Sequence, residues 1–452
     1  MDYQLLIGIV LGVALLLFLI LRTKLSAFIS LLIASMFIGL FAGLDPTELM
    51  ATIQKGMGGT LGFVATVVGL GALFGAILEH SGGAKVIAQF LLSKLGTERA
   101  PLAMSLAGFI IAIPVFFDVA FIILIPMLYS IQRKTKKSLL LYAIPLLAGL
   151  AATHAFIPPT PGPIAVADIL GVGLGEVILV GFLVGLPAVL ISGLLFGKHI
   201  AKKIHVEAPS IMEGEIKDSF NKLPKIGIII SIIAFPIVLI LINTTIDSGL
   251  IDGSFNKNIL GEIKLISSFV GHPFTALILA NLLAWYLLGR KQGYSKDELL
   301  NVSNKSFAPA GTIILLTGAG GVLKQVLVDT GGGKMIASAL IEAGIPILLF
   351  AFIAAALVRI IQGSATTAML TAAGLVAPLI TDADLPGMQL ACITIAIAAG
   401  ASIFSHVNDS GFWLVSQYLN INEKQTFRSW TVMTTILAFV GFSGVALISI
   451  FV

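Results

Sequence analysis

A single cysteine occurs among 452 residues, Cys392. Disulfides and Cys-based metal centres are thereby excluded, and its place in an apolar run reads as buried packing. Charge is scarce too: Asp, Glu, Lys and Arg together make up 11% of the chain. No HExxH pattern, Cys/His cluster or nucleotide-binding P-loop is present. Zinc hydrolysis and ATP-driven transport by this chain alone therefore lack their chemistry. The net charge of +4 does not point to nucleic acid, because the basic residues fall in short loops between apolar runs. The apolar stretch 1–21 has no basic n-region and no small-residue cleavage site, so it reads as a first span rather than a signal peptide.

What the chain has is apolar length. It is 57% hydrophobic, with a mean hydropathy of +1.05, more apolar surface than a soluble domain of this size can hide. The runs are about twenty residues long and do not alternate, so the spanning element is the helix. The expected fold is an all-α polytopic membrane protein with about ten transmembrane helices. Spans are predicted at 5–21, 25–42, 61–78, 139–170, 177–196, 226–242, 265–288, 307–327, 389–418 and 431–450. With the N-terminus outside, the basic loops (Arg22/Lys24, Arg133–Lys137, 198–225 and 290–305) all fall on the cytoplasmic side.

The stretch 62–91 is written a second time at 311–340. Gly62, Gly69, Gly71, Leu78, Gly82, Gly83, Lys85, Ile87, Ala88 and Leu91 recur as Gly311, Gly318, Gly320, Leu327, Gly331, Gly332, Lys334, Ile336, Ala337 and Leu340. By span parity the two copies run in opposite directions. The predicted organisation is thus a first inverted repeat at 1–197, a cytoplasmic linker at 198–225 and a second inverted repeat at 226–452. Secondary transporters are commonly built this way, with the binding site between the repeats.

Four places break the membrane pattern. Regions 101–129 and 346–380 each carry helix-breaking or charged residues at their centre: Pro114 to Asp118 in one, Arg359 to Thr367 in the other. An ionised side chain at membrane depth costs roughly 2.5–3.5 kcal/mol, so it needs a partner or a water-filled cavity. Both regions are read as re-entrant hairpins. Two spans are also interrupted, one by His154 to Pro163 with four prolines in 158–163, the other by Ser405 to Gly411. Freed backbone groups and helix N-termini gathered at mid-depth would suit a small hydrophilic anion and a coupling ion. The site is expected between 116–120, 154–163, 362–367 and 405–411.

Arg359 is the only arginine inside an apolar region. It either meets a substrate carboxylate or closes a salt bridge to Asp118 or Asp409, and the sequence does not choose. His154 and His406 are proton carriers, partners of substrate hydroxyls, or neutral packing residues. Ser364, Thr366, Thr367 and Asn408 offer uncharged hydrogen bonds to a polyol, although such residues also mediate helix packing. Lys85 and Lys334 read as interface anchors.

Several motifs together resemble the gluconate permease (GntP) family: 58–62 (GGTLG), 114–119 (PVFFDV), 153–159 (THAFIPP), 363–366 (GSAT) and 404–413 (FSHVNDSGFW). The resemblance spans almost the whole chain. It implies proton-coupled uptake of gluconate or a related sugar acid across a bacterial inner membrane, on the inverted-repeat architecture of the ion-transporter superfamily. Arg359, Ser364, Thr366, His154, Thr160, His406 and Asn408 are the substrate-facing candidates, and Asp118 and Asp409 the proton-coupling candidates. Asp118 stands where sugar-acid members often carry Glu, and Thr160 where they often carry His. Idonate, fructuronate and D-serine carriers belong to the same family, so these remain alternative substrates, as does sodium in place of protons. A membrane-embedded enzyme lacks a nucleophile–base pair here, and a channel differs from a carrier by not accumulating substrate. The expected partners are a sugar acid, protons and the lipid bilayer, with a homo-oligomer left open. No cofactor, metal or nucleic acid is expected.

Overall fold

The computed structural model describes residues 3–209, 223–247, 257–381, 383, 385–407 and 409–452. Asn408, the acidic pair Asp382 and Asp384, and residues 210–222 of the linker between the halves lie outside the described residues. Among the described residues the chain is helical and contains no strand. Seven helices are long and apolar enough to cross a membrane, and six shorter apolar helices accompany them. Leu183, Leu195, Leu282 and Phe439 are each more than half exposed on the outer surface, where lipid is the fitting solvent. The chain is a multi-pass membrane protein.

From Pro46 onward one order of elements is followed twice. A long helix (Pro46–His80), a short one (Gly83–Leu95), a helix–tip–helix unit (Ala100–Ile111, Phe117–Thr135), a broken helix (Leu140–Phe156, Pro161–Leu170) and a long final helix (Leu174–Lys203) come first. Lys296–Asp329, Gly332–Glu342, the unit Ile347–Gln362 and Ala365–Ile380, the broken helix Gly387–Ser402 and Ser410–Leu419, and Glu423–Ile448 follow at nearly the spacing that separates Gly62 from Gly311. Ahead of each set stands a packed helix pair: Tyr3–Leu21 with Ala27–Phe41, and Ile226–Asp247 with Pro273–Ala284.

One predicted span needs correction. The run 265–288 is not a single helix: Lys257–Val270 ends, and a new helix starts at Pro273 with His272 as its cap, its ring nitrogen accepting from the Phe274 amide at 3.2 Å. Gly271 fits against the Leu239 carbonyl and Asn243 with no room for a side chain, so the chain turns where a helix would need bulk. Leu265, Ile266 and Phe269 remain largely exposed.

The two long duplicated helices, Pro46–His80 and Lys296–Asp329, cross in close contact at Gly56 and Gly321. A Cβ on Gly56 would lie 2.7 Å from the Gly321 carbonyl oxygen, so only glycine allows these backbones to touch. Farther along, Gly75 meets the backbone of the first tip, where a Cβ would lie 1.9 Å from the Pro114 carbonyl oxygen. Lys324 occupies the position matching Gly75 in the second copy, and its Nζ donates to the Ile169 carbonyl at 2.5 Å. That carbonyl belongs to the last turn of Pro161–Leu170, where a cation is favourable.

Candidate functional site

Each broken element ends its helices for a reason visible in its residues. In the first tip, Ile111 gives way to a bend containing Pro114, and the helix restarts at Phe117, preceded by an extended Phe116 whose side chain makes no capping bond. Asp118 lies in that helix's first turn, where a negative charge faces the positive end of the dipole. In the second tip, Gly363 takes the left-handed conformation (φ 91°), and its amide donates to the Arg359 carbonyl at 2.9 Å. The side chain of Ser364 then caps the next helix, accepting from the Thr367 amide at 3.3 Å. The first broken helix stops before Pro158-Pro159 and restarts at Pro161, a favoured residue for a first helical turn. The second restarts at Ser410, capped by Asp409, whose Oδ1 accepts from the Gly411 amide at 3.1 Å.

The four breaks meet around one cavity of about 420 Å³. The first half contributes Phe116, Phe117 and Asp118 from its tip, and Ala151, His154, Ala155 and Gly162 from its broken helix. From the second come Arg359, Gln362, Gly363, Ser364, Ala365, Thr366 and Met369 at the tip, then Ser402, Asp409, Ser410 and Gly411. The final helix adds Trp430, Thr434 and Leu437.

Arg359 is 5% exposed and carries the site's buried positive charge. Its Nη2 donates to Asp409 Oδ2 at 2.5 Å and its Nη1 donates to the Gly363 carbonyl. The Nε is buried with no hydrogen-bond partner among the described residues. Of the pairings the sequence left open, the salt bridge to Asp409 is therefore formed, and Arg359 is also one of the residues that line the cavity. Asp118 lines that cavity as well, and among the described residues its carboxylate is in no salt bridge or hydrogen bond. The His154 ring lies 6.2 Å from that of Phe116 and its Nδ1 is buried with no hydrogen-bond partner among the described residues.

Of the substrate-facing candidates, Arg359, Ser364, Thr366 and His154 line the cavity, and so do both acidic candidates, Asp118 and Asp409. Thr160 does not. It is buried, and its hydroxyl donates to the Ile157 carbonyl at 2.6 Å, closing the turn between the prolines. Nor does His406, whose Nε2 lies 2.8 Å from the Ile360 carbonyl on the second hairpin. Asn408 lies outside the described residues. Phe117 and Gln362 fall within the expected segments 116–120 and 362–367, whereas sequence reasoning missed Ser402, Trp430 and Thr434. For the last two a signal existed: Trp430, Thr431 and Thr434 put polar groups on one side of an otherwise apolar helix. Among the described residues, no group of three or more His, Cys, Asp or Glu side chains is placed to hold a metal ion.

A second cavity, of about 410 Å³, is lined by Glu79, His80, Val115, Glu298, Asn301 and Lys305 among others, and Phe116 lines both cavities. The two halves are also tied away from the cavity by Tyr129, on the helix Phe117–Thr135, whose hydroxyl donates to the Tyr418 carbonyl.

The sequence and fold have relatives. The profile of the family described as GntP family permease matches residues 4–451. The low-affinity gluconate transporter of Escherichia coli (strain K12) is 42% identical over 401 residues, covering 88% of each chain. The gluconate permease of Pseudomonas aeruginosa is 38% identical over 416 residues, covering 90% of this chain and 89% of its own. Among solved structures, the YdaH transporter of Alcanivorax borkumensis superposes with a TM-score of 0.60 at 14% identity, over 90% of this chain and 88% of its own. That identity speaks for the fold alone. With a family profile matched from near one end to the other, and a relative at 42% identity over most of both chains, the chain belongs to the GntP permease family.

Proposed function

We propose that the protein is a secondary active transporter that carries gluconate or a related sugar acid, together with protons, across a bacterial inner membrane. The observation that carries this reading is the buried Arg359 at the wall of a cavity formed by all four helix breaks, which Asp118, an acid in no ion pair or hydrogen bond among the described residues, also lines. A guanidinium presents parallel donors to a carboxylate and keeps its charge at every working pH. Ser364, Thr366 and Gln362 lie beside it for the polyol hydroxyls. The names of the relatives, which specify gluconate, support the substrate class.

In this reading the substrate carboxylate docks on Arg359 while Asp118 takes up the proton, because a coupling group must change charge and must be free to do so. Asp409, engaged by Arg359, Ser405 and Gly411, braces the arginine. The two tips are re-entrant hairpins within about ten spans, the N-terminus is outside, and residues 1–197 and 226–452 are inverted repeats joined by 198–225. Two nearly equivalent packings of inverted repeats give one state open to each side.

Reconstituted into liposomes, the protein should concentrate labelled gluconate when the pH gradient is imposed and stop when an uncoupler dissipates it. Equilibration without accumulation would mean a channel. Accumulation that follows sodium and ignores pH would move the coupling to that ion, and stronger competition by D-serine or idonate than by gluconate would move the substrate.

A further inference from the structure

The hydrogen bonds behind Arg359 form a chain with a direction. Asp409 Oδ2 accepts from Arg359 Nη2 at 2.5 Å and also from the Ser405 hydroxyl. Ser405 Oγ in turn accepts from Trp430 Nε1 at 2.6 Å. An indole N–H can only donate, so it occupies a lone pair of the hydroxyl and leaves the hydroxyl proton to point at Asp409. The backbone of Ser405 is gripped by the same helix: Thr431 Oγ1 donates to its carbonyl at 2.5 Å, and its amide donates to Thr434 Oγ1 at 3.2 Å. Ser405 is 1% exposed and Trp430 4% exposed, so bulk water does not compete for these bonds. The helix is wound as a π-turn at Phe427–Thr431, the kind of local insertion that re-aims side chains at functional sites. Here it turns two consecutive residues, Trp430 and Thr431, onto one serine.

We infer that Trp430 is a positioning residue for the substrate carboxylate, acting through Ser405 and Asp409 to hold the Arg359 guanidinium at the cavity wall. The inference rests on the reading of Arg359 as the group that receives the carboxylate. A long arginine side chain has many rotamers, and its direction here is set by two partners, the Gly363 carbonyl and the Asp409 carboxylate. Without the Ser405 hydroxyl, Asp409 Oδ2 keeps only the arginine, and the carboxylate is otherwise held only by the Gly411 amide on Oδ1. Without the indole N–H, the hydroxyl is free to turn away. The Trp430 ring also packs at 5.5 Å from the Phe117 ring, a contact that phenylalanine at this position retains.

The test uses the full-length purified protein, with gluconate as the charged probe and gluconamide, its uncharged amide, as a competitor. Trp430→Phe should weaken gluconate binding about fivefold to tenfold, the range for one hydrogen bond acting on a charged group. Gluconamide binding should change less than about twofold, so the ratio of the two affinities falls. Ser405→Ala should act in the same direction, and the double variant should be no weaker than Ser405→Ala alone, because both changes cut one chain. Ser405→Thr, which retains the hydroxyl, should restore the ratio. An unchanged ratio in Trp430→Phe, equal weakening of both ligands, or effects that multiply in the double variant would each overturn the inference. If Ser405→Ala does not fold, Trp430→Phe and Ser405→Thr still decide it. Wild-type protein that binds no aldonate overturns the functional reading and this inference together. Wild-type binding with an unaltered Trp430→Phe overturns only the inference.

Discussion

The two tips, 111–117 and 362–365, occupy matching places in the repeated order of elements and are finished in opposite ways. The second is tied down: Gly363 closes its helix, Ser364 caps the next, and Arg359 is bonded to both Gly363 and Asp409. The first has no side-chain cap at Phe116, and its acid, Asp118, has no hydrogen-bond or ion-pair partner among the described residues. One tip thus presents a fixed cation and the other a free acid. Fixed geometry suits recognition, since little rotamer freedom is lost when a ligand arrives. A group that is to gain and lose a proton is better left unpaired, since every partner favours one of its two forms.

The largest effect should come from breaking the fixed side. Arg359→Ala removes the group read as the carboxylate's receptor and leaves the partly buried Asp409 without its counter-ion. Gluconate binding measured by titration should fall more than about 100-fold. Next comes the free side. Asp118→Asn should abolish accumulation against a gradient in liposomes and leave exchange between equal pools of labelled and unlabelled gluconate. If this variant still concentrates substrate with normal pH dependence, the contrast between the tips does not carry the coupling, and His154 or Asp409 takes that role. Removing only the cap sharpens the comparison further. Ser364→Ala costs about 1 kcal/mol at a helix start, so affinity should weaken about fivefold, whereas Phe116, which supplies no cap, offers no such bond to lose. The smallest change is expected at Thr160, whose hydroxyl serves the Ile157 carbonyl and not the cavity. Thr160→Val should lower the unfolding temperature slightly and leave the KM for gluconate within about twofold, as read from uptake curves.

The breaks were legible because each violates an otherwise apolar run. Prolines at 158–163, a charge at 118 or 359, or a polar run at 405–411 has no place in a lipid-facing helix. The choice between partners was not legible. Arg359 and Asp409 are fifty residues apart in sequence, and only folding decides whether Asp118 or Asp409 reaches the guanidinium. Thr160 and His406 looked like site residues because they sit within the breaks, yet a break has an inner and an outer side, and composition does not separate them. Trp430 failed in the opposite way: its helix has no interruption to mark it, only polar groups on one side, and its relevance comes from a serine 25 residues away. Averaged hydropathy also hid the turn at Gly271-His272-Pro273, although the tripeptide itself is a turn signal.

The contact at Gly75 leads to one more consequence. Along Pro46–His80, Gly71 and Gly75 present bare backbone to the Pro159 and Pro114 carbonyls of the first half's two breaks. The matching stretch of Lys296–Asp329 begins the same way, with Gly320 against the Leu370 carbonyl, and then puts Lys324 where its twin has glycine. A glycine track is smooth: nothing on it has to change rotamer when a neighbour slides past. Lys324 acts as a detent, holding Ile169 by a charged hydrogen bond of about 1.5–3 kcal/mol. Were the first half's site-bearing segments to shift along these helices, a charged hydrogen bond would have to break at Lys324 and no side-chain bond at Gly75.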